Sequence, residues 1–171
     1  MLETFTGLSA AYQIAYVTRD LALAADRLEL QCGIKDLLTL RLDLELRVPA
    51  ARASVNVGIA WVDDLQIEVI EPIDGAIGIY AAALPEKTQL MAFHHLAMRV
   101  ASQSQWEDLL AQLPEHKVAL VGGREEMRFV YVDERNTLGH YLEYVWMSDA
   151  FLAQHPIWDL PKNRRAASVK G

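Results

Sequence analysis

Glu68 and Glu143 each stand inside an apolar run, Leu65-Gln66-Ile67-Glu68-Val69-Ile70 and Tyr141-Leu142-Glu143-Tyr144-Val145. A carboxylate in such a place is costly unless it finds a partner, and a divalent cation is one such partner. Gln13 precedes Glu68 by 55 residues and His95 precedes Glu143 by 48, each again within an apolar stretch. The four side chains offer an imidazole nitrogen, an amide oxygen and two carboxylates. That donor set suits zinc, nickel, cobalt or manganese, and two carboxylates neutralise a dication. Four protein ligands on a six-coordinate ion leave two positions for water or substrate, which metal catalysis requires. The single cysteine, Cys32, excludes both an internal disulfide and a thiolate cage, so any metal is held by nitrogen and oxygen. The competing readings are plain ones: the glutamates as solvated rim carboxylates, and Gln13 as pocket lining without a ligand role.

The elements that must position these residues can be read from periodicity. Alternation of period two marks strands at Tyr12 to Thr18, Leu38 to Arg47, Ser54 to Val62, Leu65 to Glu71, Phe93 to Val100, His116 to Val121, Met127 to Val132 and His140 to Trp146. Helical spacing appears twice. Asp20 is a natural N-cap before Leu21, Ala24, Ala25 and Leu28, with Gly33 as the terminator. Ser104 and Glu107 have capping-box spacing before Trp106, Leu109, Leu110 and Leu113, and Pro114 ends the run. A turn of helix at Ile79 to Leu84 and a short helix from Ser148 to Gln154 complete the inventory. The order is strand, helix, three strands, then the same again about 80 residues later. The expected fold class is therefore α+β, two tandem βαβββ modules, one over residues 1–90 with the connecting segment and one over 91–171 with a last helix and a basic tail (Lys162, Arg164, Arg165, Lys170).

Strand parity assigns faces. With Ile14 and Tyr16 packed under a helix, Gln13, Ala15 and Val17 point the other way. With Leu96, Met98 and Val100 packed, His95, Ala97 and Arg99 point the other way. If the modules pair about a pseudo-twofold axis, Gln13, Glu68, His95 and Glu143 converge. Arg99 shares the cavity face, either to bind an anionic substrate group or to pair with a glutamate, and Tyr141 shares the face of Glu143. His94 and His140 have the wrong parity and read as structural. His116 and His155 read as surface residues. Arg41, Asp43, Glu45 and Arg47 read as a solvated strand face, and the four tryptophans as core or interface.

Composition narrows the function classes. With 16 basic and 23 acidic residues the net charge is −7, which argues against nucleic acid as a partner. No apolar run is long enough to span a membrane, and Met1 to Gly7 has no signal-peptide pattern, so a cytoplasmic enzyme or binder of a small molecule is expected.

The stretches Gln13 to Leu21, Leu65 to Pro72, Phe93 to Ala97 and Gly139 to Tyr144, in that order, resemble the glyoxalase-like proteins of the vicinal oxygen chelate superfamily. The resemblance spans roughly Ala11 to Trp146. It implies paired βαβββ modules curling into a cup-like mixed sheet with helices outside, and a metal held in the cup. The ligand order Gln13, Glu68, His95, Glu143 is similar to glyoxalase I, while the spacing is similar to methylmalonyl-CoA epimerase. The epimerases carry a histidine in place of Gln13, and Arg47 to Arg52 holds no carboxylate where their extra acidic base is expected. Ring-cleaving dioxygenases need two histidines, which Gln13 denies. The resemblance implies a metal-dependent isomerase or lyase that removes a proton next to a metal-polarised carbonyl of a small organic or thioester substrate. Glu143 is the first choice as ligand and base, and Glu68 the second. The rival is a non-catalytic binder of the antibiotic-sequestering type, and the superfamily leaves a homodimer open.

Overall fold

The computed structural model describes residues 10–161. The first half runs β1 (Ala11–Thr18), α1 (Leu21–Cys32), β2 (Leu38–Val48), β3 (Ala50–Val62) and β4 (Leu65–Gly75). A short helix, α2 (Gly78–Ala81), lies in the connection. The second half runs β5 (Met91–Arg99), α3 (Gln103–Gln112), β6 (Val118–Gly123), β7 (Met127–Glu134) and β8 (His140–Met147), followed by α4 (Asp149–Gln154). The basic tail and the first nine residues lie outside the described range.

Local chemistry accounts for the helix ends. Asp20 accepts a hydrogen bond from the Leu23 amide at 2.9 Å, and Gly33 takes the left-handed conformation, φ 68°, that lets its amide reach back to the last turn of α1. In α3 the cap is Ser102, not the expected Ser104. Ser102 is extended and its hydroxyl accepts from the Gln105 amide at 3.2 Å. Ser104 already lies in the first turn, hydrogen-bonded to the Ser102 hydroxyl, and Glu107 accepts from the Gln103 side chain instead of closing a capping box. Ser148 caps α4 through the Phe151 amide.

The eight strands form one closed ring in the order β1-β4-β3-β2-β6-β7-β8-β5. Within each half the first and last strands pair in parallel, β1 with β4 and β5 with β8. The halves join through antiparallel β1–β5 pairing on one side. On the other, the ring closes through β2 and β6, with Leu46 opposite Gly122 and Val48 opposite Val121. A Cβ on Gly122 would sit 2.4 Å from the Phe129 ring, so a larger residue there would displace that ring.

The alternation of β2 behaves as read: Leu40, Leu42 and Leu44 pack against the barrel interior while Arg41, Asp43 and Glu45 face solvent. The interior core gathers Val55, Val57, Ile59, Ile70, Leu120, Phe129 and Val145. The helices bury their apolar faces on the outside of the sheet, α1 through Leu21, Ala24 and Leu28 against Val69, and α3 through Trp106 and Leu109 against Val130, Val132, Tyr144 and Trp146.

Candidate active site

Four consecutive strands of the ring, β4, β1, β5 and β8, straddle the junction of the halves. Their register sets two rungs. Glu68, Ala15, His95 and Tyr141 are level on one, and Gln66, Gln13, Ala97 and Glu143 on the other. The central position facing the larger side chains is alanine on both rungs. Ala15 and Ala97 are fully buried, and their small size leaves the space into which Gln13, Glu68, His95 and Glu143 reach. The four expected residues are thus brought to one buried floor. His95 Nε2 lies 3.2 Å from Glu143 Oε2 and 3.6 Å from Glu68 Oε2. Relative exposure is 0% for His95, 1% for Gln13, 7% for Glu68 and 8% for Glu143, which rules out the reading of the glutamates as solvated rim groups.

Gln13 is oriented by a chain of hydrogen bonds. The Ile157 backbone oxygen only accepts, so it fixes the Gln66 amide, whose Nε2 donates to it at 2.8 Å. Gln66 Oε1 then accepts from Gln13 Nε2 at 2.7 Å, and Gln13 Oε1 is left buried without a hydrogen-bond partner among the described residues. His95 Nε2 also has no hydrogen-bond partner among the described residues. These orphaned atoms and the two carboxylates are donors of the kind a divalent cation takes, so the donor chemistry fits one. Among the described residues, no group of three or more histidine, cysteine, aspartate or glutamate side chains is arranged to hold a metal ion as it stands.

The electrostatics of the floor are those of a charge-poor site holding acids. Burial and the neighbouring Glu143 charge push the Glu68 carboxyl well above its ordinary value. Burial pushes Glu143 up to about 8, partly offset by a hydrogen bond from the Tyr131 hydroxyl and by the nearby Arg99 charge. Burial drives both His94 and His95 down to about 3.

Other expected residues take different places. Arg99 Nη2 donates to the Trp158 backbone oxygen at 2.6 Å, and its guanidinium lies 4.7 Å from the centre of the Tyr12 ring. It therefore clasps the segment after α4. Tyr141 is buried in the core, 5.0 Å from the His94 ring, with the Arg135 guanidinium 4.8 Å from its ring centre, and it is not among the cavity-lining residues. His94 is not on the opposite face. The β1–β5 register passes from Ala15 opposite His95 to Tyr16 opposite Phe93, so His94 is the extra residue of a bulge. Its Nδ1 lies 2.9 Å from His95 Nδ1 and its Nε2 3.2 Å from the Ile79 carbonyl oxygen.

Sequence reasoning missed Gln66, Tyr131 and Tyr12. Gln66 carried a signal, since it stands two residues before Glu68 on the same strand face. Tyr131 and Tyr12 carried none that separates them from core aromatics. Above the floor the cavity is narrow and apolar, walled by Leu42, Leu44, Val57, Ile70, Phe129 and Val145. It shares Leu42, Leu44, Met127, Phe129 and Trp158 with an outer groove of about 740 Å³ beside β2 and α4.

A family model described as Glyoxalase/Bleomycin resistance protein/Dioxygenase superfamily matches residues 12–131. Among solved structures, the fold is similar to methylmalonyl-CoA epimerase from Mycobacterium tuberculosis, at TM-score 0.53 and 15% identity over 89% of this chain and 97% of that one. A hypothetical protein from Bacillus halodurans is similar at TM-score 0.52 and 15% identity, over 81% of this chain and 94% of that one. At such identity the likeness shows the fold. No curated protein matches the sequence. Among the described residues no helix is long and apolar enough to cross a membrane.

Proposed function

The chain belongs to the glyoxalase/bleomycin resistance protein/dioxygenase superfamily, and from that premise we propose that it is a metal-dependent isomerase or lyase acting on a small carbonyl compound or thioester. The observation that supports this most directly is the meeting of His95 Nε2 with one oxygen each of Glu68 and Glu143 on a buried floor. His95, Glu68, Glu143 and the free Gln13 Oε1 would hold the ion, two ligands coming from the half spanning residues 1–90 and two from 91–171. Bound there, a divalent cation would supply Lewis-acid polarisation of a substrate carbonyl oxygen.

The protein's own part is proton transfer at Glu143. The Tyr131 hydroxyl and the Arg99 charge both favour its carboxylate, and Glu68 lacks such help. Of the two carboxyls, Glu143 is therefore the more readily ionised and the first choice to take a proton from the carbon next to the carbonyl, with Glu68 second. Apolar walls exclude water from the carbanionic intermediate, and the narrow cavity admits a small head group while the outer groove takes the rest of the substrate.

Elemental analysis of protein purified without chelator tests the reading. About one equivalent of a transition metal, or tight uptake on titration, is expected. Loss of both would overturn it. Thioester and 2-oxoaldehyde substrates then report turnover, and exchange of the α-hydrogen with deuterated solvent reports proton removal directly. The apolar wall favours one rival, a non-catalytic binder of an apolar ligand. That rival predicts Glu143→Gln with full ligand affinity and a parent protein without turnover.

A further inference from the structure

We infer that the Ile79 carbonyl and His94 together lock His95 into the tautomer protonated on Nδ1, so that a bare Nε2 faces Glu68 and Glu143; His94 is thus a positioning residue of the site.

A backbone carbonyl oxygen has no proton to give, so the 3.2 Å contact between Ile79 O and His94 Nε2 requires the hydrogen on His94 Nε2. A neutral His94 then has a bare Nδ1. That atom lies 2.9 Å from His95 Nδ1, a distance at which one hydrogen must lie between the two nitrogens. Since His94 Nδ1 is bare, the hydrogen belongs to His95. A neutral imidazole with a proton on Nδ1 has none on Nε2, and His95 Nε2 is the atom left without a hydrogen-bond partner beside two carboxylate oxygens.

The neutrality of His94 is secured by its surroundings. The ring is 1% exposed and enclosed by Tyr80, Tyr131 and Tyr141, with centroids 5.2, 5.8 and 5.0 Å away. Such burial disfavours a second proton on the ring. The bulge is what makes the relay possible, because in a regular strand successive side chains point to opposite faces and two adjacent imidazoles could not meet. The physical consequence is preorganisation. Without the relay, His95 is free to carry its proton on Nε2 and to donate it to a glutamate, which removes a ligand atom from the floor.

The first test uses the intact metal-free protein. Long-range proton–nitrogen spectra of ¹⁵N-histidine-labelled protein, with His95 assigned by loss of its signals in His95→Gln, read the tautomer directly. A protonated Nδ1 and a bare Nε2 on His95 are expected. A protonated Nε2 would overturn the inference, and this readout needs no metal, so it stands apart from the failure of the metal reading. Two variants sharpen it. His94→Phe keeps a ring and deletes the acceptor; His95 is expected to shift toward the Nε2-protonated form, and zinc affinity to fall by about tenfold or more. His94→Asn restores an acceptor near the position of Nδ1 and is expected to restore the tautomer and most of the affinity. An unchanged tautomer in folded His94→Phe, or a failure of His94→Asn to restore it, counts against the relay.

Discussion

The two halves of the barrel share one element order but not one chemistry. Both open with a capped helix after the first strand and both end on a strand carrying a glutamate. The first half supplies Gln13, a neutral amide held by Gln66, and Glu68, a carboxyl pushed up by burial and by its neighbour. The second supplies His95, backed by His94, and Glu143, steadied by Tyr131 and Arg99. The first half also has the longer hairpin, with β2 and β3 of 11 and 13 residues against 6 and 8 for β6 and β7. A repeated scaffold places equivalent positions together. What makes the positions unlike is the set of neighbours that each half brings to them.

The largest expected difference between the halves lies in how their helices are anchored. Trp106 of α3 is 2% exposed and Leu28 of α1 is 7% exposed. Trp106→Ala should cost about 3–5 kcal/mol and Leu28→Ala about 2–3 kcal/mol in urea denaturation. Equal losses would remove this part of the contrast. Next comes metal retention. His95→Ala should weaken zinc binding by about a hundredfold or more, and Gln13→Ala by about tenfold, measured by competition with a chromogenic chelator. A reversed order would show that the first half holds the stronger ligand.

The dependence of stability on pH is a smaller effect, with a sign set by four buried groups. Glu68 and Glu143 are raised above the ordinary 4.5, Glu143 to about 8, so their contribution is complete below 4.5 and is lost as pH rises through those raised values. His94 and His95 are lowered from 6.5 to about 3, so their contribution is complete above 6.5 and is lost as pH falls toward 3. Metal-free protein should gain stability up to about pH 4.5, hold a plateau to about 6.5 and lose stability above it. Urea midpoints between pH 4 and 9 check this, and Glu143→Gln should flatten the alkaline limb. A midpoint that climbs from pH 6.5 to 8 would contradict the raised carboxyls. The smallest effects should be alike in the two halves. Asp20→Ala and Ser102→Ala each remove one cap and should each cost about 1 kcal/mol.

Much of this arrangement is legible in the sequence. The leucine alternation in β2, the caps at Asp20 and Gly33, and the repeated element order all report short-range physics, and short-range physics is written locally. The positions of Gln13, Glu68, His95 and Glu143 were legible because polar atoms in apolar strands need a reason. The bulge at His94 was not, since it arises from how β5 pairs with β1, many residues away. Arg99 was placed by parity on the correct side, yet its hydrogen bond goes to the Trp158 carbonyl, because the chain after α4 folds back across the barrel. Tyr141 shares the parity of Glu143 and is level with His95, yet it is buried against the His94 ring and the Arg135 guanidinium. The cap of α3 slipped by two residues because Ser102 and Ser104 are equally good caps, and the choice between them lies in the backbone that leads in.

The β1–β5 seam has one more consequence. It runs between rungs that carry Gln13 and His95 at related positions of a single polypeptide. In a ring assembled from two identical copies, any change at one such position would be mirrored at the other. Here each can be altered without its counterpart. One barrel thus carries an imidazole and an amide at matching places, and selection can tune the strength of the site one donor at a time.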